Sequence, residues 1–304
     1  MPSNDLLFPL SAIVGQQHLK RALLIAAANP EVGSLLVRGE RDAGKRTAVT
    51  ALTGILPMIS AREGCAVHCS PALGQRCPLC ADRPAQTLAR ARTPFVEVPI
   101  SASDDQLMGS RIDGEPYPGL LAKANSGYLF IDRVNLFGEG QIRKVFEVHE
   151  AGVLERHKDR WPSRFVLLAT MNDDEGALPS DLLAGFSLCT SVRALGDIEE
   201  RLEVVKRIES FNISPDDFIR HYVREEDALR ARVSNARRLL PRTEIPAEIH
   251  RRMERACKPL VIGEVVLHRF SAAVKGSASL NERIWVTAED LKDVSPLVLD
   301  HLRS

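Results

Sequence analysis

Two regimes of apolar patterning divide the chain. Up to about residue 195, short continuous apolar runs alternate with segments of helical spacing. "SLLVRG" (Ser34 to Gly39) reads as a buried strand entering a turn. "KRTAVTALTGIL" (Lys45 to Leu56) follows it with Val49, Leu52, Ile55 and Leu56 on one helical face. The runs "PFVEVPI" (Pro94 to Ile100), "GYLFIDRV" (Gly127 to Val134), "RFVLLATMN" (Arg164 to Asn172) and "SLCTSVRAL" (Ser187 to Leu195) predict further strands, and "EGQIRKVFEVHEAG" a helix. Strands alternating with helices imply an α/β fold with a parallel sheet covered on both faces. From Asp197 onward only helical patterns remain, and Ser214-Pro215, Pro246 and Thr287 with Glu289 mark helix starts. The pattern predicts an α/β domain over 1–196, with a Cys-, Pro- and Gly-rich insertion at 60–84, and then an all-helical domain over 197–304.

Composition narrows the reading by exclusion. Forty basic residues balance 40 acidic ones, so no overall field favours nucleic acid or an anionic membrane. The basic run Arg230 to Arg238 has helical spacing and reads as a solvated face or a subunit contact rather than a nucleic-acid site. The apolar run Ala22 to Ala28 falls far short of the roughly 20 residues of a membrane span. The N-terminus shows no basic segment leading into an apolar one, and the expected location is the cytoplasm. The histidines are scattered and outline no porphyrin site.

Six cysteines are too few for a disulfide scaffold of this size. Four are clustered: Cys65, Cys69, Cys77 and Cys80 have the spacing C-x3-C-x7-C-x2-C, with His68 inside. Two close pairs across a short loop match a closed tetrahedral zinc site. Redox-active thiols and unliganded thiols are the alternatives. Cys189 and Cys257 lie in apolar patterns and read as small core residues.

The strongest chemical signal is "GERDAGKRT". Gly39, Gly44 and Lys45 have the spacing of a phosphate-binding loop and stand between a strand and a helix. Such a loop works through inward backbone N–H groups and a lysine that reaches the β- and γ-phosphates. The hydroxyl expected after the lysine is replaced by Arg46, with Thr47 next. "YLFID" is an apolar strand ending in Asp132, the kind of carboxylate that holds magnesium in nucleoside triphosphatases, and "LLATMN" ends in Asn172. Arg46 brings a fixed cation and five donors to a place normally held by the metal. It either pairs with Asp132 or a phosphate in the metal's stead, or points to solvent.

With these motifs in place, the chain resembles the AAA+ ATPase subunit (I subunit) of magnesium chelatase, along nearly its whole length. The blocks "FPLSAIVGQQHLKRALLIAAANPEVGSLLVRG", "YPGLLAKANSGYLFID" and "RFVLLATMNDDEGALPSDLLAGF" carry the resemblance. It implies an α/β nucleotide domain plus a helical domain in an oligomeric ring, ATP or ADP with magnesium as ligands, and other I-type or D-type chelatase subunits as partners. It also implies a role in inserting magnesium into protoporphyrin. The cysteine set comes with the resemblance as well, and there a redox role competes with zinc.

Several groups depart from the family pattern. Asp42, Ala43 and Arg46 stand where the family loop has Gly, Thr and Ser. Arg133 follows Asp132 where the family has a water-polarising Glu. Gly185 occupies the place of an arginine that reaches a neighbouring subunit, and Ile262 that of a second sensing arginine. The expectation is a catalytically impaired ring subunit that holds nucleotide through Gly39, Gly44, Lys45, Arg46, Thr47, Asp132 and Asn172. A working motor with unusual groups and an interaction module for an unrelated partner are the alternatives.

Overall fold

The computed structural model describes residues 6–81, 87–258 and 264–303. Eleven strands form among the described residues: β1 Ser34–Gly39, β2 Ile59–Arg62, β3 Leu88–Ala91, β4 Phe95–Glu97, β5 Gly109–Ile112, β6 Glu115–Pro118, β7 Gly127–Ile131, β8 Val153–Arg156, β9 Asp159–Pro162, β10 Phe165–Asn172 and β11 Leu188–Val192. Five of them make the main sheet, in the order β11-β1-β10-β7-β4. β7 and β10 are buried along their full lengths, which is why they read as unbroken apolar runs. They pair in parallel from Phe165 opposite Gly127 to Ala169 opposite Ile131. β4 joins β7 in parallel, with Phe95 opposite Tyr128. β4 is shorter than its apolar run predicts. The Val98 amide still donates to the Phe130 carbonyl at 2.9 Å, but Pro99 has no N–H to continue the ladder.

The remaining strands form antiparallel hairpins, β2 with β3, β5 with β6 and β8 with β9. The β5–β6 turn is Asp113-Gly114, both at positive φ (51° and 84°), the combination that a two-residue hairpin turn demands.

The helices are α1 Gln17–Ala28, α2 Lys45–Ala51, α3 Asp104–Met108, α4 Leu120–Lys123, α5 Glu139–Ala151, α6 Ser180–Ala184, α7 Ile198–Ile213, α8 Pro215–Leu239, α9 Ala247–Cys257, α10 Glu264–Leu280 and α11 Ala288–Leu299. The apolar run Ala22 to Ala28 is the buried end of α1. α2 gives way to a 3-10 turn at Leu52–Ile55, so the predicted helix tightens before Pro57. At the start of α11 Thr287 caps as expected, and Asp290 closes the capping box through the Thr287 amide at 2.9 Å.

Contacts gather the chain into two compact units. One comprises the residues up to Val32, Val37–Leu56 and the chain from Ser187 onward. Its core holds α1 against the C-terminal helices. Asn29 donates to the Ala272 carbonyl at 2.9 Å. The buried Glu226 on α8 accepts from both the amide and the hydroxyl of Ser11 at 2.8 Å. Phe8, Phe211 and Phe218 pack with ring centroids 5.1 to 5.6 Å apart. The other unit comprises Gly33–Leu36 and Pro57–Phe186. Its core is built from β4, β7 and β10, with Phe95 5.8 Å from Phe130 and the buried Trp161 of the β8–β9 hairpin.

Candidate nucleotide site

β1 delivers the chain to Gly39 with φ at +139°. A Cβ there would lie 1.9 Å from the Val192 carbonyl oxygen, so the backbone conformation and the close approach of β11 both require glycine. Gly44 sits at φ +78° and hands the chain to α2, whose first residue is Lys45. The Lys45 side chain is buried, and its ammonium donates to the Gly39 carbonyl at 2.8 Å and to that of Glu40. Phosphate oxygens would compete with these loop carbonyls for the same protons. Arg46 is exposed on the first turn of α2, and its carbonyl accepts from the Thr50 hydroxyl at 3.0 Å.

A cavity of about 670 Å³ opens beside this loop, within the range of small-molecule sites. One wall is the loop itself: Arg41, Asp42, Ala43, Gly44 and Thr47. The opposite walls are apolar, from Ile13 and Val14 before α1, from Leu195 after β11, and from Val204, Val205, Ile208 and Phe211 on α7. α7 has no fully buried residue: Phe211 packs on Phe8 and Phe218, and Val204, Val205 and Ile208 are presented to this cavity. Polar contacts fix the rim. Gln16 donates to the Arg193 carbonyl at 2.9 Å, and the Ala194 amide donates to the Glu40 carboxylate at 3.2 Å. Arg201 donates to the Leu195 carbonyl at 2.6 Å, and Arg207 to the Ala12 carbonyl at 2.9 Å. Lys20 donates to the Ile13 carbonyl at 2.8 Å. Burial, then the charge of Arg207, holds the Lys20 ammonium below the ordinary lysine range. A polar glycine loop at one end and an apolar slot at the other suit a molecule with a charged tail and a flat ring.

In the other unit, Asp132, Arg133 and Asn172 gather at the C-terminal ends of the paired strands β7 and β10. The Thr170 hydroxyl donates to the Asp132 carboxylate and accepts from the Arg133 amide, the latter at 3.0 Å. Arg133 is exposed, in left-handed conformation at φ 53°. Asn172 is buried and donates to the Glu175 carboxylate at 2.8 Å, and its carbonyl accepts from Asn135 at 3.2 Å. Gly185 ends α6, where a Cβ would come within 3.1 Å of both the Leu182 carbonyl and the Phe146 ring. Ile262 lies outside the described residues.

Sequence reasoning missed the apolar slot and Thr170. The slot's signal was present: α7 repeats apolar residues at helical spacing, yet it follows a strand that already completes the sheet.

The thiols of Cys65, Cys69, Cys77 and Cys80 converge in the same unit as β7 and β10, all buried and none in a disulfide. Hydrogen bonds with Cys69 and Cys77 hold the Cys65 thiol far below its ordinary range. The bond with Cys65 is the main cause that pushes Cys69 far up and Cys77 up to about 12.

The strand, glycine loop and cavity, in an α/β sheet followed by helices, define a P-loop protein of the AAA+ class. Residues 9–181 match the family described as magnesium chelatase, subunit ChlI. A magnesium-chelatase subunit ChlI homolog of Methanocaldococcus jannaschii is 35% identical over 97% of this chain and 85% of its own length. The magnesium-chelatase 38 kDa subunit of Acidiphilium rubrum is 37% identical over 97% of this chain and 90% of its own. Among solved structures, a chain of the complex between subunits BchI and BchD of magnesium chelatase superposes with a TM-score of 0.57 at 34% identity, covering 97% of this chain and 96% of that one. The chain belongs to the magnesium chelatase ChlI subunit family.

Proposed function

We propose that this chain is a nucleotide-binding ring subunit of a magnesium-chelatase-type complex, impaired in ATP hydrolysis, that supports or regulates catalytically active subunits. The family implies nucleotide and magnesium and a role in chlorophyll or bacteriochlorophyll synthesis, and the Acidiphilium rubrum relative is named as a subunit of magnesium chelatase. The observation that carries nucleotide binding is the loop Gly39–Lys45 opening on a nucleotide-sized cavity with an apolar slot.

The groups needed for the chemistry are a different matter. In P-loop enzymes magnesium is held by the hydroxyl after the loop lysine and by a strand aspartate. Arg46 offers no oxygen ligand in its side chain, and one Asp132 oxygen already accepts the Thr170 hydroxyl. The residues present do not match the usual magnesium set. We read Arg46 as supplying the positive charge that the metal would bring to the phosphates. Arg133 replaces a group that would polarise water, and Gly185 replaces a transition-state arginine, a contact worth about 10³ to 10⁵ in rate in related phosphoryl transfer. These losses do not add, but each alone is severe.

Two measurements test the reading. ATP hydrolysis by the chain alone is expected to stay near background, and a rate equal to that of an active I subunit overturns the impairment. ADP affinity, measured by titration calorimetry with magnesium and with chelator, is expected to change little. A large loss in chelator refutes the substitution of Arg46 for the metal. Retention of Lys45, Asp132 and Asn172 favours one second reading, a slow but working motor, and a measurable burst of product in a single turnover would support it.

A further inference from the structure

None of the residues that line the cavity beside the glycine loop comes from the cysteine insertion. The four sulfurs lie within 4.8 Å of one another. Cys65 Sγ is 3.8 Å from Cys77 Sγ, which is 3.5 Å from Cys80 Sγ. Four thiolates at about 2.3 Å from a zinc ion stand roughly 3.8 Å apart at the corners of a tetrahedron. The thiols are 0 to 7% exposed, so no coordination position is left for water or substrate.

The backbone around them is shaped to hold this cluster. Cys77 and Cys80 sit on one tight turn, closed by the Cys80 amide to the Cys77 carbonyl at 3.0 Å. The Cys77 amide donates to Cys80 Sγ at 3.3 Å, an N–H directed at a sulfur that would carry negative charge. The first pair, Cys65 and Cys69, spans a turn with His68 at φ +51°, and the strand end is tied to it by the Arg62 amide to the Cys69 carbonyl at 2.9 Å. A buried amide pair anchors the loop: Asn125 donates to the Val67 carbonyl and to Gln75, each at 3.0 Å. A second, independent sign is electrostatic. Arg62 Nε and His68 Nδ1 are both buried without a hydrogen-bond partner among the described residues, and both side chains line one hollow with Cys65. A tetrathiolate zinc centre carries two net negative charges, and the unpartnered Arg62 Nε–H in the same hollow would face it with a donor of matching sign.

We propose that Cys65, Cys69, Cys77 and Cys80 bind one zinc ion as a closed structural site that orders the insertion between β2 and β3. Binding releases the thiol protons to solvent as the four sulfur–zinc bonds form, with no change of oxidation state. The centre would act as a staple for this proline- and glycine-rich loop, which among the described residues is tied down by the short β2–β3 ladder, the Asn125–Gln75 pair and a few backbone bonds such as Arg62 to Cys69.

The test uses the full chain, produced in zinc-replete medium and purified without chelator. Elemental analysis is expected to give one zinc per chain, released as the fourth thiol is titrated with an organomercurial. Cys77→Ser and Cys80→Ser are expected to lose that zinc. Should either variant fail to fold, cobalt(II) added to the metal-stripped wild-type chain supplies the second readout, with the ligand-field bands of a tetrahedral tetrathiolate. Substoichiometric zinc that fails to load on addition, thiols equally reactive with and without zinc, or a disulfide among the four in freshly prepared protein each overturn the proposal. None of these readouts involves nucleotide, so the result is independent of the hydrolytic state of the subunit.

Discussion

At Gly39 two constraints meet that a single substitution separates. The residue needs a φ of +139°, and its missing side chain leaves room for the Val192 carbonyl, which a Cβ would approach to 1.9 Å. Gly39→Ala therefore forces β1 away from β11 as well as straining the loop. A strained left-handed position costs about 1–3 kcal/mol, and the overpacking adds a similar amount. We expect a lower Tm together with loss of ADP binding. Gly44→Ala is the control. Its φ of +78° is unfavourable, but nothing lies within 4 Å of the added carbon, so the penalty is the backbone term alone. Equal destabilisation by the two changes, read from chemical denaturation, would show that the Val192 contact does not matter. Residue-level reasoning from the sequence found this glycine by its spacing to Lys45. It did not find Thr170, because a hydroxyl inside an apolar strand has no pattern to mark it, and only the register of β10 on β7 brings it to Asp132.

Among the elements, α7 is the one whose role changes most between sequence and structure. As a pattern it is one more amphipathic helix in a helical region. In the fold it buries no residue fully and lends Val204, Val205, Ile208 and Phe211 to the cavity wall. Ile208 is 48% exposed and has little part in the core. Ile208→Asp should leave the circular dichroism and Tm close to wild type while weakening nucleotide binding. Removing one apolar contact and placing a carboxylate near a phosphate-bearing ligand is expected to cost about 1–3 kcal/mol, or about 5- to 150-fold in Kd. A Tm drop of the size seen for a core mutation would instead make α7 a structural element. The strands were legible because β1, β7 and β10 are buried on both faces and so carry continuous apolar runs. The β5–β6 hairpin was not read, although "RIDGEPY" contains the Asp-Gly turn signal, because neither strand has an apolar face: Ile112 and Tyr117 are 54% and 55% exposed.

For the whole molecule, the balance between what is kept and what is replaced makes a statement about assembly. Lys45, Asp132 and Asn172 are present, the loop is formed and the cavity is open, while Arg46, Arg133 and Gly185 are the positions that the proposed function reads as having lost hydrolytic groups. A chain that only needed to fold would have no use for a nucleotide-sized cavity lined by a phosphate loop. A subunit that occupies a place among active neighbours has such a use, because bound nucleotide can order the loop without being turned over. Gly185 makes the argument directional. On the proposed function, Gly185 brings no guanidinium to a neighbour's site, while the neighbour's own arginine reaches this one. Mixing this chain with an active I subunit at fixed total concentration therefore separates assembly from mere dilution. If the two co-assemble, hydrolysis should fall faster than in proportion to the active fraction, since each inserted copy removes its own turnover and the arginine owed to its neighbour. Gly185→Arg should return the curve toward simple proportionality without raising the rate of the isolated chain. A strictly linear decline with the wild-type chain, together with no co-elution on size-exclusion chromatography in ATP, would place it outside the ring.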